Sequence, residues 1–550
     1  MSKILIVGGV AGGASAAARL RRLDEKAEII LFEKGEYISF ANCGLPYYIG
    51  GDITEKEELT LQTPESFHAR FNVDVRVFQE VVSIDRANKK VKIKNVVSGE
   101  TYDEAYDKLI LSPGAEPAKP NVVGFDNPKV FTLRNIPDTY KIKDYIDDTN
   151  AKSVLIVGGG YIGIEMAHSL HSAGLEVTVV EFADHVIASI DYDMAMDVHK
   201  HIRSKGVNLI LQDGVKEIQD DNEKLKVILG KSEIVTDLVI MSVGVRPESS
   251  LAKDAGLELN PRGAILVDSH MLTSDKDIYA VGDAIEIKDF ITKEPGYIPL
   301  AGPANKQGRI AADNIAGLDS TYEGTQGTGI LKCFDLTIAS TGLSEAKAKQ
   351  MNLNYEKSFT FPGSHASYYP GAETLNMKIV FDKENGKLLG AQVIGVDGAD
   401  KRLDVMATAI RAGMTVYDLA KLELAYAPPY SSAKDPVNMA GFVAENILTD
   451  KLKIFHWHDV NDLPRDGSVT LLDVRTKGEC KRGMIDGFIN IPVDDLRKNL
   501  SQLDKSKPVY VTCQVGLRGY LACRILKQEG FDCYNLSGGY KLYESIIKTI

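Results

Sequence analysis

Cysteine is scarce in this chain: six residues in 550, at positions 43, 333, 480, 513, 523 and 533, with no C-x-x-C pair. So few thiols exclude a disulfide scaffold and a zinc ribbon, and no metal site is expected. They fit a reducing compartment. Positive charge is also in deficit, since 64 Lys and Arg against 76 Asp and Glu leave a formal net charge of −12. A general nucleic-acid or membrane-surface role is therefore not expected. No apolar run is long enough to span a bilayer, and Met1-Ser2-Lys3 leads straight into the strand-like Ile4-Leu5-Ile6-Val7 without a charged leader or apolar signal core. The expectation is a soluble cytoplasmic protein. What the chain does have is bulk: 44% hydrophobic residues over 550 positions allow about three or four domains.

Residues 3–34, KILIVGGVAGGASAAARLRRLDEKAEIILFEK, read as strand, glycine turn, helix and strand. Gly8 and Gly13 fill the first and third places of G-x-G-x-x-G, and Val10 fills the second. Such a turn lets the backbone approach a pyrophosphate at a helix N-terminus, and Glu33, closing the second strand, can accept from ribose hydroxyls. Residues 153–181 repeat the pattern with Gly158, Gly160 and Gly163 all in place and Glu181 at the strand end. Two such units imply two dinucleotides. An acid at 181 favours NADH, because a 2′-phosphate would meet like charge; use of NADPH stays open. Three further strand-like runs end in turns, at 108–117, 237–247 and 274–285. The last carries Gly282-Asp283, where an aspartate at a strand end either holds a ribityl or phosphate-bearing chain or caps a helix.

In this order the segments resemble the two-dinucleotide flavoprotein disulfide reductases over roughly residues 1–450. The resemblance implies FAD at the first turn and at Asp283, with an NAD(P)H domain inserted between the two FAD parts. Most members of that family carry C-x-x-x-x-C. Here Cys43 is present in SFANCGLPYYIGG but Tyr48 stands where the second cysteine would fall. One protein thiol then has to cycle with an outside partner, through a mixed disulfide, a persulfide or a sulfenic acid. The segment looks most like that of the coenzyme A-disulfide reductases. A helix beginning just after Cys43 would favour its thiolate. Arg19 and Arg22 share a helix face at i, i+3, with Arg21 beside them, and could grip phosphates. The resemblance extends a coenzyme A pocket to Ser15, Arg19, Arg22, Ser39 and Asn42. A basic residue that the family often places near position 71 is missing: Phe71 stands there, and Arg70 is the available substitute.

Residues 326–450 resemble the reductase dimerisation domain. By that likeness Tyr368 (or Tyr369) and Tyr426 reach across a homodimer to the partner's cysteine, and Lys434 contacts a phosphate. About 100 residues remain. There KPVYVTCQVGLRGYLACRILKQ reads strand, loop, helix, with Cys513 opening C-x-x-x-x-R and Arg518 at the helix entry. Such a loop can aim backbone N–H groups and a guanidinium at one thiolate. With Asp473-Val474-Arg475 upstream, it closely resembles a rhodanese domain. Cys480, Cys523 and Cys533 have no comparable setting and are assigned no chemistry.

The expected fold class is α/β. FAD-binding parts lie at 1–120 and 249–325, the NAD(P)H-binding domain at 121–248, an α+β dimerisation domain at 326–450 and an α/β rhodanese domain at 455–550. The expected function is FAD-dependent reduction of coenzyme A disulfide, coenzyme A persulfide or polysulfide through Cys43, with sulfur transfer through Cys513. The alternatives are an NADH oxidase or peroxidase cycling through Cys43 sulfenic acid, and a redox-sensing or sulfur-carrier scaffold.

Overall fold

The computed structural model describes residues 2–548. They fall into two compact units, one of residues 1–184 and 206–327, the other of residues 185–205 and 328–550.

The first unit is built on two parallel five-stranded sheets. In one, β1 (Lys3–Val7) leads through α1 (Ala11–Leu23) to β2 (Glu28–Phe32), and the strand order is 278–280, 108–111, β1, β2, 74–76. β1 and β2 run in register from Lys3↔Glu28 to Val7↔Phe32. Unbroken β-branched and leucine runs suit strands covered on both faces, and Leu5, Ile6, Ile30 and Leu31 are each at most 1% exposed. Each contributes roughly 2 kcal/mol by burial. The chain turns from β1 to β2 on one side and later adds 108–111 on the other, so the end of β1 is a topological switch point with an open crevice. A short helix, α2 (Leu45–Gly50), follows the turn that holds Cys43.

The second sheet repeats the plan: β3 (Ser153–Val157), α3 (Tyr161–Ser172) and β4 (Glu176–Glu181), in the order 208–211, β4, β3, 238–241, 130–131. The crevice again lies where the chain departs to both sides of one strand. Helix α4 (Ala301–Ile315) returns to lie along α1, and Gly308 allows the approach: a Cβ there would stand 2.3 Å from the Gly12 carbonyl oxygen.

The second unit joins a five-stranded antiparallel sheet, ordered 329–333, 336–342, 388–395, 376–382, 355–360, to a parallel one, ordered 453–455, 533–536, β5 (Val509–Thr512), 470–473, 489–490. Helix α5 (Leu517–Gln528) follows β5. Lys378, wholly buried, is held by Asp191 at 3.0 Å, Asp193 at 2.8 Å and Glu345 at 2.7 Å. Burial pushes Glu345 up, but Lys378 and Lys357 outweigh it and hold the carboxyl at about 2. Removing the lysine would strand three acids and cost about 3–5 kcal/mol. The helix Tyr192–Ser204 belongs to this unit, although the sequence places it within the NAD(P)H domain. No described helix is long and apolar enough to cross a membrane.

Candidate active site

The two glycine turns have the same construction. Gly8 has φ +96° and a Cβ there would lie 2.1 Å from the Ser112 carbonyl oxygen; Gly158 has φ +105° and would meet the Ser242 oxygen at 2.4 Å. Gly13 and Gly163 would each drive a Cβ to 1.9 Å from the carbonyl of the first glycine of their turn. Gly160 differs, since nothing lies within 4 Å of its Cβ position. That open space at the N-terminus of α3 is what a pyrophosphate needs. Val10 occupies the matching place in the first turn, as the residue that caps α1. Glu33 and Glu181 brace their turns in the same way: Glu33 accepts from Gly9 N–H (3.0 Å) and Gly35 N–H (2.8 Å), Glu181 from Gly159 N–H (2.6 Å) and Ala183 N–H (2.8 Å).

Asp283 lies inside a 3-10 turn, Gly282–Ala284, and does not cap a helix. Burial pushes its carboxyl above the usual range, and among the described residues that carboxyl has no hydrogen-bond partner. A half-buried acid with no hydrogen-bond partner among the described residues, next to the first crevice, fits the hydroxyl-bearing chain of a flavin dinucleotide.

Cys43 sits in a second 3-10 turn, Asn42–Gly44, directly before α2. Ser39, four residues earlier, is held at φ +44°, a left-handed conformation uncommon for serine, by a bond from its N–H to the Gly9 carbonyl at 2.8 Å. Reactivity differs here from the sequence expectation. The residue as a whole is exposed, yet surrounding protein withdraws enough water to push the thiol up, and Glu165 and Asp283 push the same way. Desolvation, seconded by the two carboxyls, opposes the favourable dipole of a six-residue helix. Tyr48 is buried and packs edge-on against Tyr140 at 5.8 Å.

A pocket of about 380 Å³ is walled by Ser15, Arg19, Arg22 and Ser39. Phe67, Arg70 and Phe71 close another side, with Arg309 from α4. Arg19 donates to Asp313 at 2.6 Å and Ser15 to Asn305, while Arg22, Arg70 and Arg309 are exposed. Arg21 has a different role from its neighbours: it is 4% exposed and bonds the carbonyls of Asp24, Ala27, Phe71 and Asn72. Asn42 does not line the pocket. Arg309 was illegible beforehand because its helix is far along the chain and only the α1–α4 packing brings it here.

In the second unit Tyr368 and Tyr426 are 74% and 47% exposed, with their hydroxyls 2.8 Å apart. Tyr369 instead packs edge-on to His365, and Lys434 is exposed. The Cys513 loop is self-contained. Its sulfur accepts from Gly516 N–H at 3.1 Å, and Gly516, at φ +100°, begins α5. The Cys513 carbonyl accepts from Tyr540 N–H at 2.7 Å, an approach that needs Gly539, whose Cβ would stand 2.6 Å from that oxygen. Arg475 is clamped to Asp473 at 2.8 Å and lies over the Tyr540 ring at 3.8 Å. Arg518, expected to face the thiol, bonds both oxygens of Glu479, at 2.6 and 2.8 Å. That pair holds the Glu479 carboxyl at about 2. The fork-to-fork match with the carboxylate fixes the guanidinium, on which the Cys513 sulfur also acts.

Glu165 was also missed. The available signal was one carboxylate in the otherwise apolar run YIGIEMA. It accepts from the Tyr47 hydroxyl at 3.3 Å, and burial raises it to about 7.

Residues 2–308 match the pyridine nucleotide-disulphide oxidoreductase family, 330–436 its dimerisation domain and 456–545 the rhodanese-like domain. The coenzyme A disulfide reductase of Staphylococcus epidermidis is 37% identical over 446 residues, which is 81% of this chain and 100% of that protein. The reduced CoADR-RHD of Bacillus anthracis superposes with a TM-score of 0.97 at 52% identity, covering 100% of this chain and 98% of that one. A NAD-dependent persulfide reductase from A. fulgidus gives 0.92 at 36%, covering 98% and 100%. Two nucleotide turns of matching construction, the open space at Gly160 and the unsatisfied Asp283 suit the FAD and NAD(P)H that the family uses. The chain belongs to the pyridine nucleotide-disulphide oxidoreductase family and is an FAD-dependent enzyme of it with a C-terminal rhodanese-like domain.

Proposed function

We propose that the enzyme uses NADH, with NADPH as an alternative donor, to reduce coenzyme A disulfide or coenzyme A persulfide through Cys43. The observation that carries this reading is a lone thiol, with Tyr48 where a second would stand, four residues after Ser39, which lines an arginine-walled pocket. Exposed Arg22, Arg70 and Arg309, with Arg19 oriented by Asp313, suit the phosphates of a nucleotide thiol. The relatives named for coenzyme A disulfide and for persulfide support the substrate class.

The Cys43 thiolate attacks a sulfur of the disulfide, forming a Cys43–S–S–coenzyme A bond and releasing one coenzyme A thiolate. With a persulfide the same attack leaves Cys43 as the persulfide and frees the coenzyme A thiolate. Residues around Gly8, Asp283 and Gly158–Gly163 would hold FAD and NADH, which would supply the electron pair that cleaves the S–S bond at Cys43, giving back the Cys43 thiolate and releasing the second coenzyme A thiolate, or hydrosulfide in the persulfide case. Tyr368 and Tyr426, exposed and mutually hydrogen-bonded, act on the partner's cysteine in a homodimer, with Lys434 near a phosphate. FAD is held by residues 1–120 and 249–325, the nicotinamide nucleotide by 121–248, the dimer contact by 326–450. The rhodanese part, 455–550, carries sulfur on Cys513.

The test compares NADH oxidation with coenzyme A disulfide, coenzyme A persulfide, hydrogen peroxide and oxygen as acceptors. Cys43→Ser should keep FAD and lose turnover with the first two. Undiminished turnover in that variant, or peroxide or oxygen as the preferred acceptor of the native enzyme, would overturn the reading.

A further inference from the structure

The bonds that shape the Cys513 loop come from within its own domain, but the helix that supplies them also reaches outside it. Helix α6 (Gly539–Ile547) aims its first N–H groups at the loop: Tyr540 N–H donates to the Cys513 carbonyl at 2.7 Å and Lys541 N–H to the Gln514 carbonyl at 2.9 Å. The Lys541 amine lies over the Phe361 ring, 4.7 Å from its centroid. Phe361 directly follows the strand 355–360 of the antiparallel sheet, outside the rhodanese-like domain. No hydrogen bond or ion pair holds that amine among the described residues. The charges that reach it are Asp197 and Lys200 of the helix Tyr192–Ser204, against which α6 packs. The same strand receives the start of the rhodanese-like domain: His456 bonds Glu356 at 3.1 Å, and Lys357 donates to His458 at 3.3 Å. Trp457 between them donates to Asp193 at 3.4 Å. Two separate segments of the domain, 456–458 and Lys541, are therefore fastened to one strand and the residue after it.

We infer that Lys541 is a positioning residue for the Cys513 loop: its cation on the Phe361 ring lets the antiparallel sheet hold α6, and through α6 the loop, closed around the sulfur. The carbonyls of 513 and 514 are each fixed by one N–H from adjacent residues of α6, so a shift of the helix start moves both. Cys513 has no exposed surface, so a sulfur donor or any reagent reaches it only when the loop opens. How often it opens is set by what holds α6 in place. A cation on an aromatic face, partly shielded from water, is strong enough to shift that equilibrium severalfold. A residue of the reductase body thereby governs access to a thiol in the rhodanese-like domain. The inference rests on reading Cys513 as the sulfur carrier and is independent of which donor loads it.

The test measures the rate of iodoacetamide alkylation at Cys513 in the full-length, FAD-loaded protein, read on the Cys513 peptide by mass spectrometry, with Cys43 followed in the same digests. Lys541→Met and Phe361→Ala remove the contact from its two sides, and each should speed alkylation of Cys513 about fivefold while Cys43 keeps its native rate. Lys541→Arg keeps a cation on the ring and should keep the native Cys513 rate. Native Cys513 alkylation in Phe361→Ala would overturn the inference. An equal rise at Cys43, which marks general loosening, would do the same, as would a Lys541→Arg protein as fast as Lys541→Met. Should Lys541→Met fail to fold, Phe361→Ala decides alone. A native protein that gains no sulfur on Cys513 from thiosulfate or coenzyme A persulfide would sink the carrier reading while leaving these rates readable.

Discussion

The chain places two thiols on turns that follow parallel strands, and the two turns are made differently. Cys513 is fully buried, its sulfur already bonded by Gly516 N–H and its loop pinned by the start of the last helix. Cys43 is exposed, faces two carboxyls and a crevice, and takes strain into Ser39 where the other loop uses Gly516, Gly538 and Gly539. A loop that cradles one sulfur is completed by its own backbone. A thiol that must pass electrons needs its surroundings supplied by other groups, so its own turn leaves a side open.

The sharpest way to break this comparison is to exchange losses. Cys43→Ser should reduce NADH-linked sulfur reduction by at least about 1000-fold while leaving sulfur transfer from thiosulfate to cyanide in place, and Cys513→Ser should do the reverse. If either variant abolishes both activities, the sites are one machine. Gly539→Val comes next. Its side chain would collide with the Cys513 carbonyl and Val515 N, costing about 2–3 kcal/mol of stability in thermal unfolding and most sulfur transfer, with flavin reduction by NADH unchanged.

Glu479→Gln should have a moderate effect. Freeing Arg518 should lower KM for an anionic sulfur donor several-fold. The Glu479 carboxyl lies below its unfolded value of 4.5, so the pair's contribution is present above that pH and is lost as pH falls toward 2. Because the pair is partly exposed, that contribution is under about 1 kcal/mol, and acid unfolding of the variant should be flatter by no more than this. Ser39→Gly gives the smallest change. Relief of the positive φ is nearly offset by the flexibility of glycine in the unfolded chain, so stability should shift by less than about 1 kcal/mol.

Much of the fold could be read without coordinates. Runs such as KILIV and SVLIV, each ending in glycines, are central parallel strands as expected, because a strand covered on both faces needs an unbroken apolar run. The strand, loop and helix around Cys513 were legible for the same reason, and so was the absence of a second cysteine at Tyr48. Arg309, Glu165 and the Glu479–Arg518 pair were not, since each joins elements distant in the chain.

The sequence by itself determined the local chemistry: which thiols exist, where glycines permit a nucleotide to approach, and which strands are buried. These follow from residue type and short spacing. Tertiary structure alone decided the electrostatics. Arg21 became a brace while Arg22 stayed on the pocket wall, and burial, with a carboxyl on α3 acting in the same direction, raised the pKa of a thiol more than a hundred residues earlier. Charge acts through space and through the water that packing removes, and neither is encoded at any single position in the chain.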